Sequence, residues 1–395
     1  MRFSQAEPEQ ALRELLQTAL SVVAGAAPTF LDPVRQTLGA QAARLYVADY
    51  SLRRLQQLAV DGPVGEPFEM AGTLPGRAFA TGEVTVSNAT PTVVSVPLVE
   101  GTNRIGLLQL DYEDWPGELP PGWEEVVGLL VLVLVTKSRY GDLWLRARRS
   151  SPLSAAAEVQ WDLLPPLSCS TSEIDVSGIL EPAYDIGGDS FDYAVNGTHL
   201  DFTIADAIGH GMKSVVMSAA AINSLRNSRR SGVGVREAYG LADEVIAKHF
   251  GDSNYVTAQF GSLDIPSGVL TWVNAGHVLP MLVRNGSFAG ELACSPSMPL
   301  GLGGRVVEVA TEPLQPGDRV LFYTDGITES RSPDRSFFGR ERLADFLVRA
   351  ALERIPLVET ARRLSANVLE HAQDGLDDDA TLLLIEYRGA ASPDQ

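Results

Sequence analysis

The sequence predicts an α+β protein of two domains, and three observations carry that expectation. Short apolar segments separated by turn residues recur in both halves, as in antiparallel hairpins. Segments of helical period flank them in blocks instead of alternating one by one with strands. At 395 residues with 45% hydrophobic content, the chain is long enough for two cores.

In the first half, residues 10–23 read as an amphipathic helix with Ala11, Leu15, Ala19 and Val22 at helical spacing. Residues 44–50 and 55–60 read as a hairpin around Ser51-Leu52-Arg53, and 92–98 with 104–112 as a second pair around Glu100-Gly101-Thr102-Asn103. Between the pairs, 74–82 reads as a short helix stopped by Gly82. An apolar helix over 121–146 closes this half. The basic stretch Arg146-Ala147-Arg148-Arg149 and then Pro152 interrupt the helical pattern, so the chain divides there. The expected organisation is a sensor or dimerisation domain over 1–140, a helical linker over 141–165 and a second domain over 166–390.

The second half opens with a helix over 153–167, stopped by Pro165-Pro166. Residues 200–205 form a strand candidate, and a helix follows Gly211 with Val215, Ala219, Ile222 and Leu225 on one face. Pro266-Ser267-Gly268 turns one strand pair, and Asn285-Gly286 is a strong type I′ hairpin signal for the next. Helical patterns return at 340–351 and 357–372, and 381–387 ends the domain as a buried strand. These elements fit an antiparallel β-sandwich flanked by helices.

Composition removes several function classes. A formal charge of −19, most of it after Ser150, argues against nucleic acid or another polyanion as partner. The apolar run 126–135 is too short to span a membrane, and the opening residues contain no apolar signal core. Cys169 and Cys294 supply neither a disulfide framework nor a thiolate metal site. A cytosolic location without membrane contact is expected.

Four short acidic motifs between Ile186 and Thr381 carry the chemistry: Gly187-Gly188-Asp189-Ser190-Phe191-Asp192, Asp206-Ala207-Ile208-Gly209-His210-Gly211, Thr324-Asp325-Gly326 and Asp377-Asp378-Asp379-Ala380-Thr381. Hard divalent cations take oxygen ligands, so carboxylates with few imidazoles or thiolates point to Mg²⁺ or Mn²⁺. Asp206 ends an apolar strand and begins a glycine-rich loop, where its carboxylate can stand beside exposed carbonyls. Asp325 closes another apolar strand, and burying it is costly unless a cation pairs with it. Asp377, Asp378 and Asp379 precede a core strand and repel one another unless a cation gathers at least one. Each motif alone has an ordinary structural explanation: a turn at Asp189, a helix cap at Asp206, a solvated loop at Asp377. His277 and His249 read as structural, in a turn and on a helix face.

The order of elements in the first half, with Pro75-Gly76-Arg77-Ala78-Phe79-Ala80-Thr81-Gly82 and the strand 104–110, resembles a GAF domain over residues 8–140. That resemblance implies a pocket for a small-molecule ligand, or a dimer contact that passes signals along the exit helix. The first histidine is His199 and the first cysteine Cys169, so this half supplies neither a haem-ligating imidazole nor a thiol for a bilin.

Together with Gln160-Trp161-Asp162-Leu163-Leu164-Pro165, Asn274-Ala275-Gly276-His277 and Pro299-Leu300-Gly301-Leu302, the four acidic motifs resemble the PPM-type (protein phosphatase 2C-like) serine/threonine phosphatases, in their bacterial SpoIIE-like branch. The resemblance covers residues 155–388. It implies two Mn²⁺ or Mg²⁺ ions bridged by Asp206 with help from the Ala207 carbonyl, their shells completed by Asp189, Asp325 and Asp378, with Asp379 as adjacent support. Water activated by such ions would hydrolyse phosphoserine or phosphothreonine, and the implied substrate is a phosphorylated anti-sigma-factor antagonist. A helix running from 121 into 163 is expected to form a homodimer and to carry the state of the GAF domain to the metal loops. Two features depart from the eukaryotic relatives: residues 181–185 contain no phosphate-orienting arginine, and His210 is not at the spacing of their leaving-group acid. The rival readings are a signal-binding scaffold whose phosphatase domain is inactive, and a two-metal phosphoesterase acting on nucleotides or nucleic acid.

Overall fold

The computed structural model describes residues 7–22, 27–182, 184, 187–251, 253–304, 306–373 and 375–390. The chain separates into two compact units, residues 1–152 and 153–395.

The first unit contains α1 (Glu7–Ser21), α2 (Leu31–Thr37), β1 (Ala42–Ala48), β2 (Arg54–Ala59), β3 (Gly62–Glu69), α3 (Leu74–Thr81), β4 (Thr85–Val86), β5 (Thr92–Glu100), β6 (Asn103–Tyr112), α4 (Trp123–Ser138) and α5 (Leu143–Ala147). Its six strands form one antiparallel sheet in the order β3-β2-β1-β6-β5-β4. Leu15 and Ala19 of α1 and Leu130 and Leu134 of α4 share a core with Leu45, Val47, Leu108 and Leu110 of the sheet. Both expected hairpins are present. Helix α3 is capped by the Thr73 hydroxyl, which accepts the Gly76 N–H at 3.0 Å, and stops at Gly82 in a left-handed conformation.

The apolar helix expected over 121–146 is two helices, and no single helix runs from 121 into 163. Near the end of α4 the Thr136 hydroxyl bonds back to the Leu132 carbonyl at 2.6 Å, and Ser138 does the same to Leu134. The Tyr140 and Gly141 N–H groups then close tight i→i−3 turns at 3.3 Å. Hydroxyl back-bonding and a glycine end the helix although apolar composition precedes them. Helix α5 belongs to the first unit, whereas the next helix lies in the second, after Pro152.

The second unit begins with α6 (Ala155–Leu163), β7 (Ser168–Ser170), β8 (Ile174–Glu181), β9 (Asp189–Asn196), β10 (His199–Ala207), α7 (Met212–Arg230) and α8 (Val235–Phe250). It continues with β11 (Val256–Asp264), β12 (Val269–Ala275), β13 (Met281–Arg284), β14 (Ser287–Glu291), β15 (Ala310–Pro313), β16 (Asp318–Tyr323), α9 (Asp325–Thr328), α10 (Arg340–Leu352), α11 (Leu357–Ala372) and β17 (Ala380–Tyr387). Two antiparallel sheets result, β15-β12-β11-β10-β9 and β14-β13-β16-β17-β8-β7. Inward residues of both meet in a core that includes Trp272, Leu270, Val176 and Ile385, with Phe202 of the first sheet against Phe322 of the second at 4.4 Å between ring centroids. Helices α7 and α8 cover the outer face of the first sheet through Met217, Ile222, Tyr239 and Ile246. Helices α10 and α11 cover the second through Leu343, Leu347, Leu364 and Val368. The mixed architecture matches the expected sandwich. Asn285 and Gly286 both have positive φ, 52° and 69°, as a type I′ turn requires. Among the described residues no helix is long and apolar enough to cross a membrane.

Candidate metal pocket and active site

Strand register gathers the acidic motifs. Asp189 opens β9 and Asp206 lies at the end of β10, directly opposite each other across the ladder. On the second sheet, the last β16–β17 pair is Tyr323 with Leu382, so Asp325 leaves β16 where Asp378 and Asp379 lead into β17. Residues far apart in sequence thus emerge at one end of the sandwich.

Asp206, Asp325 and Asp378 line a common pocket of about 260 Å³, whose wall also includes Ile208, Tyr255, Thr257, His277 and Val278. Asp189 and Asp379 are not on that wall and are buried, 2% and 6% exposed. The Asp379 carboxylate accepts the Gly187 N–H at 2.9 and 2.7 Å and the Asp189 N–H at 3.3 Å, holding the glycine turn against β17. The neighbours Asp378 and Asp379 therefore do different things: one faces the pocket and the other grips the backbone below it. Close approach explains the glycines. A Cβ on Gly188 would stand 2.1 Å from the Ala207 carbonyl oxygen, and one on Gly326 1.8 Å from the Asp379 carbonyl oxygen.

Two further contacts support Asp189. The Thr324 hydroxyl donates to its Oδ2 at 2.6 Å. The Gln160 side-chain amide of α6 donates to its carbonyl. Its partner strand is in turn held to β11, where Thr257 stands opposite Asp206. Thr324 and Gln160 lie inside motifs that the sequence shows, but nothing in the sequence marks either of them, or Thr257, as a site residue.

Electrostatics follow from crowding like charges. Burial, then Asp325, Asp378 and Asp379, push the Asp206 carboxyl up to about 7. Burial, then Asp206 and Asp379, hold Asp189 well above the usual carboxylate range, against a lowering by the Thr324 hydrogen bond. Asp325 is raised by burial and by Glu329 and Asp378. Among the described residues no group of three or more His, Cys, Asp or Glu side chains forms a ready-made cage for an ion. The donor set nonetheless fits hard divalent cations: it is all oxygen, carries excess negative charge and opens on a polar cavity. His277 does not join it. Its Nε2 lies 3.0 Å from the Tyr323 carbonyl, so it donates there, and its Nδ1 accepts from the Thr257 hydroxyl at 2.8 Å. Burial lowers this imidazole to about 4, keeping it neutral and structural.

Below the pocket, Asp192 of β9 is buried between Arg226 and Arg229 of α7, at 2.7 and 3.0 Å. This pair of bonds fixes the C-terminal part of α7, the helix that follows the Ile208–Gly211 loop, to the sheet. His210 is exposed in that loop, and His249 is exposed on α8.

Comparisons with known proteins agree with this architecture. Residues 196–388 match the family model described as Stage II sporulation protein E (SpoIIE). The chain is 23% identical over 265 residues to Protein IcfG of Synechocystis sp. (strain ATCC 27184 / PCC 6803 / Kazusa), a match covering 60% of this chain but 41% of that protein. It is 20% identical over 239 residues to Phosphoserine phosphatase RsbU of Bacillus subtilis (strain 168), covering 60% of this chain and 70% of the relative. The chain thus spans less than half the length of the first relative. Among solved structures, the SiaA-PP2C domain of Pseudomonas aeruginosa is similar in fold, with a TM-score of 0.50 and 22% identity over 59% of this chain and 94% of that one. Residues 196–388 are thus similar in sequence to the SpoIIE family, and the fold is similar to that of a PP2C domain; these likenesses support a protein phosphatase.

Proposed function

We propose that the chain is a protein serine/threonine phosphatase that requires two Mn²⁺ or Mg²⁺ ions and removes phosphate from phosphoserine or phosphothreonine of a regulatory protein. The observation that carries this reading is the convergence of Asp206, Asp325 and Asp378, from two different sheets, on one polar pocket. Bound there, the ions supply activation of water and charge to stabilise phosphate oxygens. The chain's own residues do the rest. Asp206, Asp325 and Asp378 would hold the ions from the wall, with Asp189 and the Ala207 carbonyl as further oxygen donors, and Asp379 keeps the Gly187–Asp189 turn in place. Ile208 and Val278 give the cavity an apolar side.

The proposed substrate is a phosphorylated anti-sigma-factor antagonist, in keeping with the likeness to RsbU. We read the first unit as a GAF domain with a small-molecule ligand, and the protein as a homodimer. Exposed apolar side chains on its helices, Leu16 and Leu20 on α1 and Leu132 on α4, support a dimer. Regulation has a physical handle in α6, because Gln160 bonds directly to the backbone of Asp189.

Hydrolysis of a phosphoserine peptide, a nucleotide and DNA, each with and without Mn²⁺, tests the proposal. Mn²⁺-dependent turnover of the peptide alone is expected, and Asp325→Ala should abolish it. Preference for nucleotide or DNA would make the chain a phosphoesterase of another kind, and no turnover of any substrate would leave a binding scaffold.

A further inference from the structure

Thr324 sits at the seam between the two sheets and is fully buried. Its N–H donates to the Thr381 carbonyl at 3.0 Å, extending the β16–β17 ladder by one residue. Its carbonyl is diverted, accepting the Ile327 N–H at 3.2 Å as α9 begins. The Thr324 hydroxyl takes over, accepting the Thr381 N–H at 2.9 Å. With that N–H on its lone pair, the hydroxyl's proton goes to Asp189 Oδ2 at 2.6 Å. An amide N–H can only donate, so the Thr324 oxygen accepts from Thr381, and its own proton is left to serve the Asp189 carboxylate in the ionised form that binds a cation.

We infer that Thr324 is a positioning residue for cation binding: its hydroxyl ties Asp189, at the start of β9 in one sheet, to the β16–β17 seam of the other. This inference rests on the reading of the pocket as a divalent-cation site. A buried carboxylate held at one oxygen loses its rotamer freedom before the ion arrives, so less ordering is left for binding to accomplish. The same bond keeps acids contributed by two sheets in fixed relation, and outer hydrogen bonds of this kind are worth about 10–100-fold in metal affinity. Valine at this position would keep the shape but neither accept from Thr381 nor donate to Asp189. Serine would keep both.

The test is isothermal titration of Mn²⁺ into the full-length protein and into Thr324→Val, Thr324→Ser, Asp189→Ala and the Asp189→Ala/Thr324→Val double variant. Thr324→Val should bind Mn²⁺ about tenfold or more weakly, and Thr324→Ser like the parent. In the Asp189→Ala background, which removes the acceptor altogether, Thr324→Val should cost nothing further, because its effect passes through Asp189. Unchanged affinity in Thr324→Val, or an undiminished loss in the double variant, would overturn the inference. If circular dichroism shows that Thr324→Val does not fold, Thr324→Ala, with space for a water at the hydroxyl position, takes its place in the same cycle. A parent protein that binds no Mn²⁺ refutes the reading of the pocket, and the role of Thr324 in cation binding falls with it.

Discussion

Asp206 is where crowded carboxylates make the pocket sensitive to pH. Its carboxyl, ordinarily near 4, is held at about 7 in the metal-free protein. The folded state therefore keeps a proton that the unfolded chain has already released. Its contribution to stability is complete below the unfolded value and is lost as pH rises through about 7. A divalent cation competes with that proton, so Mn²⁺ uptake below neutrality should release protons and tighten as pH rises. Calorimetry in buffers of different ionisation enthalpy would measure the release; affinity indifferent to pH across this range would contradict the electrostatics. The motif residues were legible because four acidic motifs recur in one half of the chain, although each alone reads as an ordinary turn or cap. Which of the adjacent Asp378 and Asp379 would face the pocket was assigned by resemblance, and the structure gives the physical reason: Asp379 is taken up by the Gly187 and Asp189 amides.

Helix α7 and the loop before it depend on a buried charge. Asp192 is enclosed by Arg226 and Arg229, and Asp192→Ala leaves both guanidinium groups without their carboxylate. A loss of about 3 kcal/mol is expected in urea unfolding, with weaker Mn²⁺ binding as the loop after Asp206 loosens. Stability and affinity both unchanged would show that the ion pair does not hold the helix. The hairpin at Asn285-Gly286 was legible because its two residues are the ones that adopt positive φ cheaply. Strand β3 was not, since Gly62, Pro63, Gly65 and Pro67 disguise an edge strand that tolerates proline. The break after α4 was missed because apolar composition says nothing of hydroxyls that bond back to the helix carbonyls.

Across the molecule, the sandwich could be anticipated from hairpins and flanking helices, whereas the meeting of its acids followed from the family resemblance and not from local pattern. Asp189 faces Asp206 through a hairpin, whereas Asp325 and Asp378 approach Asp206 only because the end of β16 and the start of β17 meet the end of β10 across two packed sheets. Such long-range pairing leaves no local trace, and Thr324 and Gln160 read from sequence as ordinary residues of a strand and a helix. The proposed control by the first unit belongs to this level too. Removing residues 1–152 leaves a unit with its own sheets and cores, and turnover of the phosphoserine peptide should change, as should the number of chains per particle in solution, from two to one. Identical kinetics and an unchanged number of chains per particle would sink both the regulatory and the dimeric proposal.

The most direct measurement is an anomalous-scattering map of Mn²⁺-soaked crystals. Two peaks within reach of Asp206, Asp325 and Asp378 are expected, and both should vanish in Asp206→Asn. Peaks elsewhere, or none at saturating Mn²⁺, would contradict the account.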